Sequence, residues 1–137
     1  MKKYMLFLTL PLCLMILTAC AVTRTDEKKI RDVEFTVIDK EDIPQEFLTQ
    51  IEEEKDGQMK LSYADKGCLY AARGYGTQDT SGYSVTVNRC YETEHEIRID
   101  TSLLGPAKGE KILKKKTCPY LVIKMEYTDK QVEFDMY

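Results

Sequence analysis

Met59-Lys60-Leu61-Ser62-Tyr63-Ala64-Asp65-Lys66-Gly67, running on into Cys68-Leu69-Tyr70-Ala71-Ala72-Arg73-Gly74-Tyr75, decides the fold of this chain. Met59, Leu61 and Tyr63 alternate with Lys60 and Ser62, the period of two that sets one face of a strand against a core. Asp65-Lys66-Gly67 has the chemistry of a tight turn, so the second stretch returns antiparallel to the first. Towards the C-terminus the same logic repeats. Gly76-Thr77-Gln78-Asp79-Thr80-Ser81-Gly82 is a loop of small and polar residues, and Tyr83, Val85 and Val87 then alternate with Ser84, Thr86 and Asn88. This reads as a second hairpin, turning near Asp79. Ile97 and Ile99 mark a further strand, Gly105-Pro106 and Gly109 break the chain, and Tyr120 to Met125 with Val132 to Tyr137 read as a last hairpin around Thr128-Asp129-Lys130.

Towards the N-terminus a helix is expected. Asp42 is placed to cap it, Pro44 falls near its first turn, and Ile43, Phe47, Leu48 and Ile51 share one face while Gln45, Glu46, Gln50, Glu52 and Glu53 face water. Lys55-Asp56-Gly57 ends it. Val33, Phe35 and Val37 before it alternate with Glu34 and Thr36 as a half-buried strand. The expectation is a mainly β (α+β) domain over residues 33–137: a small antiparallel β-sandwich or open barrel of six to seven strands, capped by one N-terminal helix.

The first twenty residues carry a different signal. Lys2-Lys3 precede an apolar run from Tyr4 to Leu17, and Leu17-Thr18-Ala19-Cys20 closes it. The run is shorter than the roughly 20 apolar residues that a spanning helix needs, and it has the layout of a secretory signal with small residues before a cleavage point. The four closing residues resemble a bacterial lipobox. That resemblance implies removal of residues 1–19, a diacylglycerol on the Cys20 thiol, and a domain held on the outer side of the cytoplasmic membrane. Residues 20–32 are polar, with Thr23, Arg24, Thr25, Asp26, Glu27, Lys28 and Lys29, and read as a flexible tether.

Loss of Lys2 and Lys3 from the 20 basic residues leaves 18 against 23 acidic ones. An acidic balance of this kind argues against a nucleic-acid partner. Of the five cysteines, Cys13 leaves with the signal and Cys20 takes the lipid, so Cys68, Cys90 and Cys118 remain. Outside the membrane a disulfide is permitted. Cys68 with Cys90 is the candidate pair, because a hairpin turning near Asp79 sets them opposite each other; buried free thiols are the other reading.

Catalytic patterns are sparse. His95, the one histidine, lies between Glu94 and Glu96 with no cysteine beside it, and no cysteine spacing suits a zinc site, so neither a cofactor nor a metal is expected. The glycines from Gly74 to Gly82 lack the lysine and following helix of a phosphate loop. That loop reads either as a recognition surface, with Tyr75 and Tyr83 as aromatic contacts, Thr77, Gln78 and Thr80 as hydrogen-bonding groups and Thr80, Ser81, Gly82 and Tyr83 as its partner-binding segment, or as a plain connection with its tyrosines turned inward. Lys108, Lys111, Lys114, Lys115 and Lys116 against Glu110 form a basic run on an acidic domain. It suits either anionic lipid headgroups or an edge strand protected by charge.

The order helix, strand, turn, Ala72-Arg73-Gly74, polar loop, Thr80-Ser81-Gly82-Tyr83-Ser84-Val85-Thr86-Val87, two strands, then Thr117-Cys118-Pro119-Tyr120-Leu121-Val122-Ile123 resembles the PrcB C-terminal domain over about residues 43–126. That family takes its name from a lipoprotein subunit of a bacterial surface protease complex. The resemblance implies a noncatalytic binding or accessory role with a protein partner in the cell envelope, contacted through Thr80 to Tyr83 and Tyr75 or through an exposed strand edge. An alternative is a chagasin-like inhibitor of cysteine peptidases, since those inhibitors also offer a threonine-glycine-tyrosine loop on a β-sandwich. Thr117-Cys118-Pro119-Tyr120 is the part of this chain similar to their second loop.

Overall fold

A computed structural model describes residues 28–135. Residues 1–27, which hold the expected signal peptide, Cys20 and most of the expected tether, and the last two residues, Met136 and Tyr137, lie outside the described residues. Eight strands form two four-stranded sheets. The first sheet has the order β1 (Arg31–Asp32), β5 (Ser84–Glu92), β6 (Glu96–Leu104), β8 (Gln131–Phe134). The second has the order β2 (Thr36–Ile38), β7 (Tyr120–Glu126), β4 (Cys68–Tyr75), β3 (Gln58–Asp65). They face each other as a sandwich rather than a closed barrel, and α1 (Gln45–Glu54) lies on the outer face of the second sheet.

Three layers make two cores. Leu69, Ala71, Cys90, Ile97, Ile99, Leu121, Ile123, Met125 and Phe134 fill the space between the sheets. Ile43, Phe47, Ile51, Met59, Tyr70, Ala72 and Val122 fill the space under the helix. The second sheet is therefore covered on both faces, which explains the unbroken burial from Leu69 to Gly74 and from Leu121 to Ile123. Phe47 and Ile51 are fully enclosed, each contributing about 1.5–3 kcal/mol of transfer free energy. Phe47 stacks on Tyr63 with ring centroids 5.3 Å apart, and Tyr63 donates its phenol proton to the Glu46 carboxylate at 2.7 Å. That bond, before any burial, lifts the Tyr63 hydroxyl to a pKa of about 12.

The expected turn at Asp65-Lys66-Gly67 is present. Asp65 pairs with Cys68, and Lys66 and Gly67 take φ of 47° and 77°, both positive as a twist-matched two-residue hairpin requires. The helix begins later than its capping chemistry implied: Lys40–Asp42 is a short 3-10 turn, and the N-cap is Pro44 with no side-chain bond. Asp42 therefore does not cap the helix. Val33, Phe35 and Val37 do not share a buried face either. The chain leaves the first sheet after Asp32 and joins the second at Thr36, so Val33 packs on the inter-sheet core, Ile38 on the helix-side core, and Val37 is 57% exposed. The last two residues of the expected spacer are paired instead, Arg31 opposite Glu92 and Asp32 opposite Tyr91.

Two expected hairpins are crossings between sheets. β4 pairs with β3 and β7 while β5 pairs with β1 and β6, so the loop after Tyr75 carries the chain from one sheet to the other. Likewise β8 leaves β7 and pairs with β6, and it does so parallel, with Phe134 opposite Ile99. These crossings separate Cys68 from Cys90. Cys68 sits on the helix side of the second sheet and Cys90 between the sheets, and Cys68, Cys90 and Cys118 are all free thiols. The Cys68–Cys90 bridge is absent because its strands are not neighbours. Burial pushes the Cys90 thiol up to a pKa of about 11.

One irregularity in β5 has a clear use. The register with β6 shifts between Val87 and Arg89, so Asn88 is an inserted residue. An insertion of one reverses the in-out alternation, which lets Val85, Val87 and Cys90 all pack on the same core.

Candidate functional site: the interlocked loops at one end of the sandwich

The β4–β5 and β6–β7 connections meet at one end of the sandwich and are stitched together. Gln78 and Thr117 exchange two backbone bonds, at 2.7 and 3.0 Å. The Ser81 N–H donates to the Leu113 carbonyl at 3.0 Å, and the Leu113 N–H donates back to Ser81 Oγ at 2.9 Å. The Thr117 hydroxyl donates to the Thr80 carbonyl at 2.8 Å. Two glycines make this approach possible. Gly76, with φ of 78°, lies so close to the helix end that an added Cβ stands 3.1 Å from the Asp56 carbonyl oxygen. Gly82, with φ of 91°, is closer still: a Cβ there meets Cβ and Cγ of Pro106 at 2.9 Å.

Below the loops, Tyr75 ties the two sheets together and Arg73 ties β4 to β3. Tyr75 Oη and Thr101 Oγ1 are 2.7 Å apart, linking β4 to β6 across the core. The Arg73 guanidinium lies over the Tyr75 ring, 3.9 Å from its centroid, and its Nη1 donates to Gln58 Oε1 at 3.1 Å and to the carbonyls of Met59 and Gly74. Arg73 is buried, and its Nε has no acceptor.

The recognition residues expected from sequence thus stand together, but several of their polar groups are engaged within the fold. Thr80 Oγ1 donates to the Ser81 carbonyl at 3.1 Å, Ser81 Oγ is held by Leu113, and Gly82 lies against Pro106. Tyr83 is half-buried, its ring lying where a Gly105 Cβ would touch it at 3.8 Å. Tyr75 has one ring face and its hydroxyl occupied as described. Cys118 also lies here, its thiol donating to Asp56 Oδ1 at 3.2 Å with Thr77 Oγ1 at 3.6 Å.

What this end offers to the outside is the β6–β7 loop. Lys108 to Lys116 are exposed throughout, with Ile112 at 49% and Leu113 at 55%. The lysines are not on an edge strand, because between Leu104 and Tyr120 the sole β contact is the bridge at Thr117. Edge protection is therefore not their role. Ile112 and Leu113, passed over in the sequence because no period frames them, complete the exposed surface.

A strand edge is open beside the loops. Among the described residues β1 covers only Tyr91 and Glu92 of β5, with the Val33 N–H adding a bond to the Cys90 carbonyl. Ser84 to Arg89 have no strand on that side. At the opposite end, an open cleft of 1270 Å³ lies around the crossing from β1 to β2, lined by charges of both signs including Arg31, Glu34, Asp42, Lys124 and Glu126. His95 is on the exposed β5–β6 turn at that same far end, away from Cys118. Among the described residues no three His, Cys, Asp or Glu side chains gather as a metal site would require, and no helix is long and apolar enough to cross a membrane.

No curated protein and no solved structure gave a match. A family model described as PrcB C-terminal matches residues 69–126. The matched stretch runs from β4 to β7 and contains both interlocked loops and the open length of β5. Over residues 69–126 this chain is similar to the PrcB C-terminal family.

Proposed function

We propose that this chain is a noncatalytic accessory subunit, lipid-anchored through Cys20 on the outer side of a bacterial cytoplasmic membrane, that holds a protein partner belonging to a protease complex. The family match over β4 to β7 carries the partner class, and Leu17-Thr18-Ala19-Cys20 supports the anchor. A diacyl group supplies the two chains that stable membrane attachment needs. The separation of His95 from Cys118, at opposite ends of the sandwich, supports a binding role over nucleophilic catalysis by that pair. The partner contact falls on the open edge of β5 from Ser84 to Arg89, because an extended segment of another protein can add there as a strand. The Thr80 to Tyr83 loop braces that edge and sets its register.

Two measurements test this. Cys20→Ala is expected to leave the chain at its unprocessed mass and without a diacylglycerol; a variant that is still cleaved and still membrane-bound overturns the anchor. A photo-crosslinking residue at Thr86, compared in cells with one at exposed Gln50 on α1, is expected to capture a peptidase-associated protein from Thr86 alone. Equal capture from both positions, or none from Thr86, removes the β5 edge as the contact.

A further inference from the structure

The β6–β7 loop combines two properties that solvent does not call for. Lys111 and Lys114-Lys115-Lys116 flank Ile112-Leu113, and the two apolar side chains stand about half exposed at the tip of the sandwich, with Leu104, 49% exposed, at the same end. Lysines alone need only water. An exposed apolar pair inside a lysine cluster needs a partner that presents negative charge and hydrocarbon within a few ångströms of each other, and an anionic bilayer interface does so. We infer that this loop is a second, reversible membrane contact, in which Ile112 and Leu113 enter the headgroup region of an anionic bilayer while the flanking lysines sit at the phosphates.

The backbone is prepared for this. Both the N–H and the carbonyl of Leu113 are satisfied by Ser81, so immersion strips no unpaired peptide group of Leu113 of water. The same bonds fix the loop to the β4–β5 connection, which keeps the ordering entropy low. Lysine charge on an otherwise acidic chain also orients the domain, since the excess of acidic groups elsewhere is repelled by the surface that attracts this end.

The inference rests on the envelope location proposed above and extends it, because the loop is remote from the N-terminal strand. β1 pairs at Glu92 and the loop follows Leu104, which pairs with Ser84, so the length of β5 separates them, about 27 Å at strand rise. Residues 20–30 can extend to at most about 35 Å, so the acyl anchor and the loop can reach one bilayer together with the strands lying along it.

The chain has no tryptophan, so Leu113→Trp places a single reporter at the tip. The full mature chain, purified from membranes and its mass checked for acylation, is reconstituted into vesicles of phosphatidylcholine or of phosphatidylcholine mixed with phosphatidylglycerol. In the anionic vesicles the emission is expected to shift to the blue and to be quenched by brominated acyl chains, and high salt is expected to reverse both. Phosphatidylcholine alone is expected to give neither. Adding Lys114→Glu, Lys115→Glu and Lys116→Glu is expected to lower the inserted-to-free ratio on the order of 100-fold, about five-fold for each lysine lost. Unquenched emission in chain that floats with anionic vesicles overturns the loop contact while leaving the anchor intact. A chain without acyl mass overturns the anchor, and its loop is then judged by the same quenching.

Discussion

Substituting Gly82 with alanine isolates the contact on which the loop end depends. Gly82 has φ of 91°, and its absent Cβ stands 2.9 Å from two ring carbons of Pro106, which cannot swing away as a flexible side chain would. The left-handed backbone costs alanine about 1–2 kcal/mol. The clash adds a further ~1–3 kcal/mol, as overpacking does elsewhere. Reduced freedom of the unfolded chain returns about 0.4–1 kcal/mol. A net loss of about 2–4 kcal/mol follows, lowering the melting temperature on the order of 10 °C or more in a domain of this size. Gly109 is the control, with φ of 84° but nothing within 4 Å, so Gly109→Ala carries only the backbone cost of about 1 kcal/mol. Urea unfolding followed by circular dichroism measures both. Pro106→Gly removes the two colliding ring carbons, and the double variant Gly82→Ala with Pro106→Gly is expected to recover about 1–2 kcal/mol of coupling. Equal losses at Gly82 and Gly109, or no coupling with Pro106, refute the claim that close approach and not conformation alone demands glycine there.

Three other outcomes are expected. Phe47→Ala, which empties a fully buried site between α1 and β3, is expected to cost about 3–5 kcal/mol in urea unfolding. Cys90 has its native pKa raised to about 11 from 9.0, so the folded state holds a proton that the unfolded state releases: its contribution is complete below pH 9 and fades as pH rises towards 11. The loss is about 2–3 kcal/mol over that window, and unfolding of Cys90→Ala is expected to lack it. In the folded protein a thiol reagent is expected to label Cys68 and Cys118 but not Cys90, with all three labelled after denaturation without reductant; a thiol missing in that second state restores a disulfide.

Local chemistry was legible and remote pairing was not. Lys66-Gly67 encodes its turn in two residues, and the Phe47 and Ile51 face of α1 is visible because a helix repeats its face within a few residues. The crossings after Tyr75 and Glu126 were misread as hairpins, since a period of two reports which face is buried and says nothing about the neighbouring strand. Thr128-Asp129-Lys130 has turn chemistry whether the chain doubles back or changes sheet. The bulge at Asn88 further hid that Val85, Val87 and Cys90 share a core. For the site, Thr80 to Tyr83 stood out by composition. Their bonding to Leu113, Thr117 and Pro106 joins residues far apart in sequence, which no local pattern records, and the same holds for the Tyr75 bond to Thr101.

The brevity of β1 and β2 bears on how the domain answers mechanical load. Tension arriving from the N-terminal side meets first the two residues of β1 and then the three of β2, each lying at a sheet margin, before it reaches any strand of the central pairs. Peeling these two pieces pays out about 25 Å of chain from residues 31–38; it takes Val33 and Ile38 off the margins of the two cores and leaves α1 and the buried core residues in place. A single-molecule pull from that side is expected to register a small early extension ahead of global rupture, so the lead-in acts as a slack line that absorbs strain before the fold does.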